Sequence, residues 1–291
     1  CYKDGYIAFK TADTFKEGNA VIAAKDASGK ILWSWHIWFT DQPQGQEYYN
    51  NAGVMMDRNL GATSATPGDV GALGLLYQWG RKDPFLGSSS ISRSIVAKST
   101  ITWPSAVSSA SNSAGNIIIN GTIEYATANP TTFISSNSSN SDWYYTGDKT
   151  TDNTRWTTAD KNKSIYDPCP AGWRVPNGGV DGIWASASGN TFTGVTKIPF
   201  YDSENSGANF SDYFGPDQII WYPANGQRSL GDAQIRYHNT GHYWSVTPED
   251  DRSLILYFDV NHMGMSYSGY GEHGNADSVR CFKEDTGGGA E

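Results

Sequence analysis

The sequence contains no long apolar run. No stretch approaches the roughly 18 uninterrupted apolar residues that a membrane-spanning helix requires, so no segment is read as crossing a bilayer. Basic residues are few: 21 Lys and Arg stand against 30 Asp and Glu, a net charge of -9. Nucleic acid and anionic membrane surfaces are recognised by clustered cations, so both are excluded as partners. Long helical periodicity is scarce as well. The G-x-S-x-G elbow, the phosphate-binding loop and the dinucleotide fingerprint are missing, which removes three large enzyme classes.

What remains is rich in turns and rings. Glycine occurs 32 times and aromatics make up 13% of 291 residues, enough chain for one large domain or two small ones with ample core. Short apolar runs are separated by Gly, Asn, Asp and Ser, the pattern of a β-rich, loop-rich fold.

Along the chain, "YIAFKTA" and "NAVIAAKD" read as strands and "DASGK" as a turn. "ILWSWHIWFTD" alternates, with Ile31, Trp33, Trp35, Ile37 and Phe39 on one face; that face predicts a central core strand. His36, on the opposite face, is expected to be a satisfied core histidine. "VMMDRNLGA" reads as strand and turn. "DVGALGLLYQWGRKDPF" is the best helix candidate, capped by Asp69 and ended at Asp83–Pro84. Residues 88–142 read as a long polar insertion, part strand and part loop. "GIWASAS", "QIIWYPANGQR", "HYWSV" and "LILYFDV" read as further strands. Asn120, Asn137 and Asn209 fall in N-x-[ST] sequons. No tandem repeat of solenoid or propeller length is present.

Of the three cysteines, Cys169 sits in "DPCPAGWRVP" and Cys281 in "SVRCF". Two buried free thiols are one reading. The Pro-flanked Cys169 favours the other, a staple closing a long loop worth roughly 4–5 kcal/mol in the chain-entropy account, which implies an oxidising compartment. Cys1 is left over, with lipidation, an intermolecular thiol and an incidental residue all open. A chain numbered from a Cys is expected to be a mature or trimmed form.

The pieces "ILWSWHIW", "MDRNLGA", "GLLYQWGRKDPF", "DPCPAGWRVP", "WYPANGQR", "GHYWSV" and "SVRCF" occur in this order. Together they resemble the C-type-lectin-like domain at the C-terminus of fimbrillin-type surface adhesins of Bacteroidales-type bacteria. The resemblance spans about residues 30–283. It implies an α+β, C-type-lectin-like fold with short twisted antiparallel sheets, one or two helices and long loops on one exposed face. It also implies that the first and last strands pair and that Cys169 and Cys281 lie close together. The expected organisation is N-terminal strands over 1–29, the end of a preceding β domain; the lectin-like domain over 30–284; and a flexible tail over 285–291.

Within "GHYWSV", "LYF" and "VRC" the chain is similar to the variable region of lectin-fold proteins diversified by retroelements. Adenine randomisation in those systems reaches Asn, Asp, His, Tyr, Ser, Gly, Arg, Thr and Ile. Residues 237–277 draw heavily on that palette; Glu249, Met263, Met265 and Glu272 fall outside it. Trp244, Leu256, Phe258, Val279 and Cys281 are expected to form a framework. Between them, Tyr237, His238, Asn239, His242, Asp250, Asp251, Arg252, Ser253, Asp259, Asn261, His262, Ser266, Tyr267, Ser268, Tyr270, His273, Asn275 and Asp277 are expected to point outward as an adaptable binding surface.

Other chemistry is poorly served. His238 and His242 have zinc-ligand spacing, but "HNTGH" reads as a loop and alternating surface residues explain it equally well. Asp250 and Asp251 are adjacent and would face opposite ways in a strand. Formylglycine-generating enzymes share the lectin-like fold, yet they need an active-site cysteine pair that this chain has too few cysteines to supply. The E-P-N or Q-P-D triplet and W-N-D of calcium-dependent lectins are missing, although Asp202, Asp217 and Asp259 are candidate ligands for a structural calcium. No catalytic residue and no further cofactor is expected. The expected function is a secreted or surface-attached adhesin, outer-membrane or fimbrium associated, at a pilus tip. Its partner would be a host or neighbouring-cell protein or glycan. The alternatives are a structural pilus subunit packing against other subunits and, third, a metal-dependent enzyme.

Overall fold

A computed structural model describes residues 2–3, 6–91, 106–113, 116–136, 141–147, 152–189, 195–215, 217–267, 269 and 271–284. The chain is mostly β-sheet with a few short helices, compatible with the expected α+β class and equally with a mainly-β fold. The largest sheet runs in the order Thr196–Lys197, His262–Tyr267, Ile255–Phe258, Gly241–Tyr243, Ala276–Ser278, Gln227–Arg228, Ile235–Arg236. Leu75–Gln78 also pairs with Ala276–Ser278 and carries Phe85–Leu86 on its other edge. Pairing is antiparallel except where Tyr243 meets Ser278 in parallel.

This sheet is covered on both faces, and the register shows how. Tyr243 lies opposite Leu256, and His242 opposite Tyr257. On one face Tyr243, Leu256, Phe258, Met263 and Met265 pack with Trp184, Phe210, Phe214 and Tyr222. On the other, Trp244, Ile255 and Tyr257 join Tyr77, Trp79, Trp156, Val279 and the two cysteines. A strand buried on both faces reads as a continuous apolar run, which is why "ILYF" lacks alternation. The framework residues Trp244, Leu256, Phe258, Val279 and Cys281 are all fully buried.

The same two-sided burial corrects the helix expected from Asp69 onward. Asp69 does cap, accepting from the Gly71 amide at 2.8 Å, but only a 3-10 turn over Val70–Ala72. Gly74 then adopts φ +72°, with the Asn59 side chain and the Leu60 carbonyl 2.9 Å from where a Cβ would stand. The chain turns there into the strand Leu75–Gln78, buried at every position. "GIWASAS" is corrected in the opposite sense: Ile183–Ser188 is a helix burying Ile183, Trp184 and Ala187, ended by Gly189 in the left-handed region at φ 65°.

A second sheet, Trp173–Arg174, Phe282–Lys283, Gly53–Met56, Gly45–Tyr48, sits beside the first. The last strand therefore pairs with Met55 and with Trp173–Arg174, not with an opening strand of the chain as expected. Cys169 and Cys281 form a disulfide next to this sheet, with Cα atoms 5.9 Å apart.

Ile31–Phe39 is not a central core strand. It forms a two-stranded hairpin with Gly18–Lys25, and Ser34, on the face opposite the expected one, is its only fully buried residue. The Ser34, His36 and Trp38 face is fastened to the body. Ser34 Oγ donates to Asp83 at 2.6 Å, Trp38 Nε1 to the Ala62 carbonyl at 2.9 Å, and Lys82 Nζ to the Ser34 carbonyl at 3.0 Å. The Trp33, Trp35, Ile37 and Phe39 face is only half-buried. His36 is satisfied as expected: Nε2 pairs with Asn19 Oδ1 and Nδ1 with the Tyr77 hydroxyl, and burial pushes its pKa down to about 4. "YIAFKTA" supplies only the two-residue strand Tyr6–Ile7.

The described parts of 88–142 are sewn into the core. Ala106–Ser108 pairs in parallel with Phe133–Ser135, and Thr122 caps the helix Ile123–Ala128. Phe133 packs on Leu76 and Phe85. Gln78 Nε2 donates to the Ile134 and Gly274 carbonyls at 2.8 and 2.7 Å. Asn120 is buried, with its amide donating to the Ser108 carbonyl at 2.9 Å, so its sequon is not presented at the surface. Asn209 instead accepts from Ser211 and Ile220 in a turn, and Asn137 lies outside the described residues.

Candidate ligand-binding surface

The expected site residues separate into three groups. The first is interior. His238, His242, Ser253, His273, Asn275 and Asp277 are buried, which corrects the expectation that they point outward. Ser253 Oγ donates to the Ser245 and Thr247 carbonyls at 2.8 and 2.9 Å. Asn275 Oδ1 accepts from the Leu230 amide at 2.8 Å. Asp277 sits mid-sheet opposite Tyr77 and accepts from Gln227 at 3.2 Å; burial raises its pKa well above the ordinary carboxylate value. His273 belongs to a closed cluster with Trp79, Asp142 and Arg155.

The second group lies at the entry end of Ile255–Phe258. Asp250, with φ 56°, is the exposed tip of the hairpin joining Pro248–Glu249 to Arg252–Ser253. Asp251 Oδ2 accepts from the Ser141 amide at 3.1 Å, and Arg252 pairs with Glu272 at 3.2 Å. Asp250 and Asp251 thus stand in a turn, not in a strand, and Asp251 is committed to the backbone.

The third group lies at the exit end of the same strand and is continuous. Tyr237 is 48% exposed, Asn239 is exposed beside it, and the Tyr237 carbonyl closes the turn by accepting from the Thr240 amide at 3.0 Å. The Tyr237 ring lies 5.9 Å from that of His242, which lies 5.4 Å from that of Tyr257. Tyr257 donates its hydroxyl to Asp259 Oδ2 at 2.7 Å. Asp259 Oδ1 accepts from the Asn261 and His262 amides at 2.7 and 2.8 Å and faces His262 Nδ1 at 3.3 Å. Asn261 is exposed and His262 partly so. Ser266 and Tyr267 lie on the strand His262–Tyr267, but their side chains, with Ser268 and Tyr270 entirely, lie outside the described residues.

Electrostatics fix His242 and Asp259 each in one state at neutral pH. Burial pushes His242 down to about 3, so it is an uncharged ring, with Nε2 2.8 Å from Thr240 Oγ1. Burial pushes Asp259 up, but the Asn261 amide, the Tyr257 hydroxyl and the His262 amide outweigh it and leave its pKa lowered. Asp259 is thus an ionised carboxylate that holds the turn, Oδ1 accepting from the two amides and Oδ2 from the Tyr257 hydroxyl. Among the described residues, no group of three or more His, Cys, Asp and Glu is placed to hold a metal ion. Asp202 caps its own turn, accepting from the Glu204 and Asn205 amides at 2.9 and 3.0 Å.

One member of this strip escaped the sequence reading. Tyr257 looks like a framework residue in "LILYFDV", yet its ring meets His242 and its hydroxyl bonds Asp259. Its sequence signal is the Tyr-x-Asp step at the end of an apolar strand. Lys197 is in register with His262 on the neighbouring edge strand and was equally silent. Comparison with known proteins assigns no role to this surface: no protein-family profile, no curated protein and no solved structure matches the chain.

Proposed function

We propose that this protein is a surface ligand-binding protein of adhesin type, with a C-type-lectin-like scaffold presenting the Tyr237–Asn239 loop and the Asp259–His262 turn to a protein or glycan on a host or neighbouring cell. The carrying observation is Tyr237. A bulky non-glycine residue held at φ 54° is backbone strain of the kind that persists where surrounding structure over-determines it and function uses it. Here the strained residue is also a half-exposed aromatic ring, backed by His242 and flanked by exposed Asn239. Tyr offers rigid amphipathic contact area at low entropy cost, and Asn, His and backbone groups add adaptable hydrogen bonds. The disulfide suits a secreted or cell-surface location, since such bonds persist in oxidising compartments.

A combined glycan and protein array probed with the native chain tests this reading. Specific binders are expected, and Tyr237→Ala and Asn261→Ala should weaken them. Binders that both variants retain at full strength, or an array without any specific binder, would refute it.

A further inference from the structure

The first hairpin presents an open strand edge. Gly18–Lys25 pairs with Ile31–Phe39 alone, in a two-stranded sheet. Its other edge carries backbone donors and acceptors with no ladder partner among the described residues. An eight-residue edge of this kind is a template for strand addition. The body does not cover it: Asn19, Ala20, Ala23 and Lys25 are exposed, as are Lys16 and Glu17 just upstream and Asp26 just downstream.

The charges at the two ends of this strand point to its partner. They are ordered Lys16, Glu17 at the start and Lys25, Asp26 at the finish, with only uncharged residues between. Laid antiparallel against an identical strand with Val21 on the two-fold axis, Glu17 falls opposite Lys25, while Asp26 stays in its own turn, its carboxylate accepting from Ser28 and from the Lys30 amide. Ala20 then meets Ile22, and Val21 meets its own copy. By symmetry the Glu17–Lys25 pair forms twice. A slip of two residues in either direction, the nearest that keeps the backbone hydrogen bonds in phase, loses both Glu17–Lys25 contacts and places each of these charges opposite an uncharged residue. The edge is therefore complementary to itself in one register.

We propose that the outer edge of Gly18–Lys25 pairs antiparallel with the same edge of a second copy of this chain, centred on Val21, to make a four-stranded intermolecular sheet. The pairing is isologous and closed, as expected of a two-fold dimer. It would extend the half-buried Trp33, Trp35, Ile37 and Phe39 face of each hairpin into one continuous apolar layer. This inference is independent of the proposed ligand surface, which lies on other strands.

Charge reversal tests it on the full chain. Sedimentation equilibrium should show a concentration-dependent dimer. Glu17→Lys and Lys25→Glu should each raise its dissociation constant by about tenfold or more, since each places two like-charge contacts in the dimer. The double variant Glu17→Lys with Lys25→Glu should bring it back to within about threefold of the original. Both residues are exposed, so folding is expected to be unaffected. Under mild oxidation Val21→Cys should cross-link to itself. Ala23→Cys should not, because in this register its copy is about 13 Å away. The parent chain serves as the control for Cys1. A chain that stays monomeric up to millimolar concentration overturns the proposal. So does a dimer indifferent to the single reversals, or one that the double variant does not restore.

Discussion

The imidazole of His273 lies flat against the indole of Trp79, ring centroids 4.0 Å apart and planes 12° from parallel. Its Nδ1 is 3.2 Å from Asp142 Oδ2, and Asp142 in turn accepts from Arg155 Nη1 at 2.8 Å. The Arg155 guanidinium lies over the rings of Trp79 and Trp143. A histidine expected on the binding face is thus the lid of a buried ion pair. His273→Ala should therefore destabilise the fold by about 2–4 kcal/mol through lost ring packing and a weakened charge cluster. Chemical denaturation measures this; a loss below about 0.5 kcal/mol would show that the stack is dispensable.

His242 and His36 set a response to acid. Both folded-state values, about 3 and about 4, lie below the ordinary histidine value. The unfolded chain therefore takes up protons first as pH falls. Their stabilising contribution is complete above about pH 6.5 and is lost on the way down to about 4 and 3, at about 1.4 kcal/mol per pH unit for each fully coupled ring. Asp277 runs the other way: its raised value means that its contribution is complete at low pH and is lost as pH rises above the ordinary carboxylate value. The clean readout is a difference. Melting temperature measured from pH 7 to 4 should fall less steeply for His242→Asn than for the parent chain. Parallel curves would place the His242 ring in a wetter site than the structure gives it.

What the sequence disclosed, and what it hid, follows from burial. The strand "LILYF", the cysteine pairing and the framework residues were legible because apolar side chains and a disulfide have few places to go. The polar half of the last segment was misread. His273, Asn275 and Asp277 look like surface residues by type, but each is buried with a partner that sequence does not show: Trp79, the Leu230 amide and Gln227. Arg280 makes the same point from the charged side, buried with its guanidinium 3.8 Å over the Tyr222 ring. In the first hairpin the one fully buried residue falls on the face opposite the expected one, because Ser34 and His36 find specific hydrogen-bond partners on the body, while the aromatic face is left half-exposed.

The disulfide closes a loop of 112 residues. Replacing both Cys169 and Cys281 by Ser should cost roughly 4–5 kcal/mol in the chain-entropy account, less any relief of native strain. The bond lies in the buried cluster of Met56, Val175, Trp244 and Val279, which reaches the strip only through Tyr257 and includes none of the exposed residues Tyr237, Asn239 and Asn261, so ligand preference should be unchanged. Denaturation midpoints and array profiles of the double variant check both halves. A changed preference at equal folding would mean that the staple shapes the binding surface.

The first hairpin reverses an ordering that composition suggests. Trp35 is half-buried, whereas Trp244 is fully buried and donates Nε1 to the Tyr77 carbonyl at 2.6 Å. Trp244→Ala should cost about 3–5 kcal/mol, as loss of a buried ring does. Trp35→Ala should cost less, about 1–3 kcal/mol in the monomer, since its ring is only partly buried. Equal losses would mean that the Trp35 face is closed after all.

Tyr237 separates binding from folding most sharply. Its ring touches His242 but leaves about half its surface free, and its backbone sits at φ 54°. Glycine adopts that conformation without a Cβ penalty, roughly 1 kcal/mol for an ordinary residue. Tyr237→Gly should thus keep stability within about 1 kcal/mol of the parent, relief of strain offsetting the lost ring contact. Tyr237→Ala keeps the strain and loses the ring, so it should be the less stable of the two. For a ligand anchored on this ring, both variants should weaken binding by about 2 kcal/mol or more, whereas Leu256→Ala should unfold the domain by about 2–5 kcal/mol through loss of core volume. Thermal stability and affinity measured on the same three proteins decide the matter. If Tyr237→Gly destabilises as much as Leu256→Ala, the ring is part of the core. If it changes neither property, recognition does not run through the Tyr237 strip.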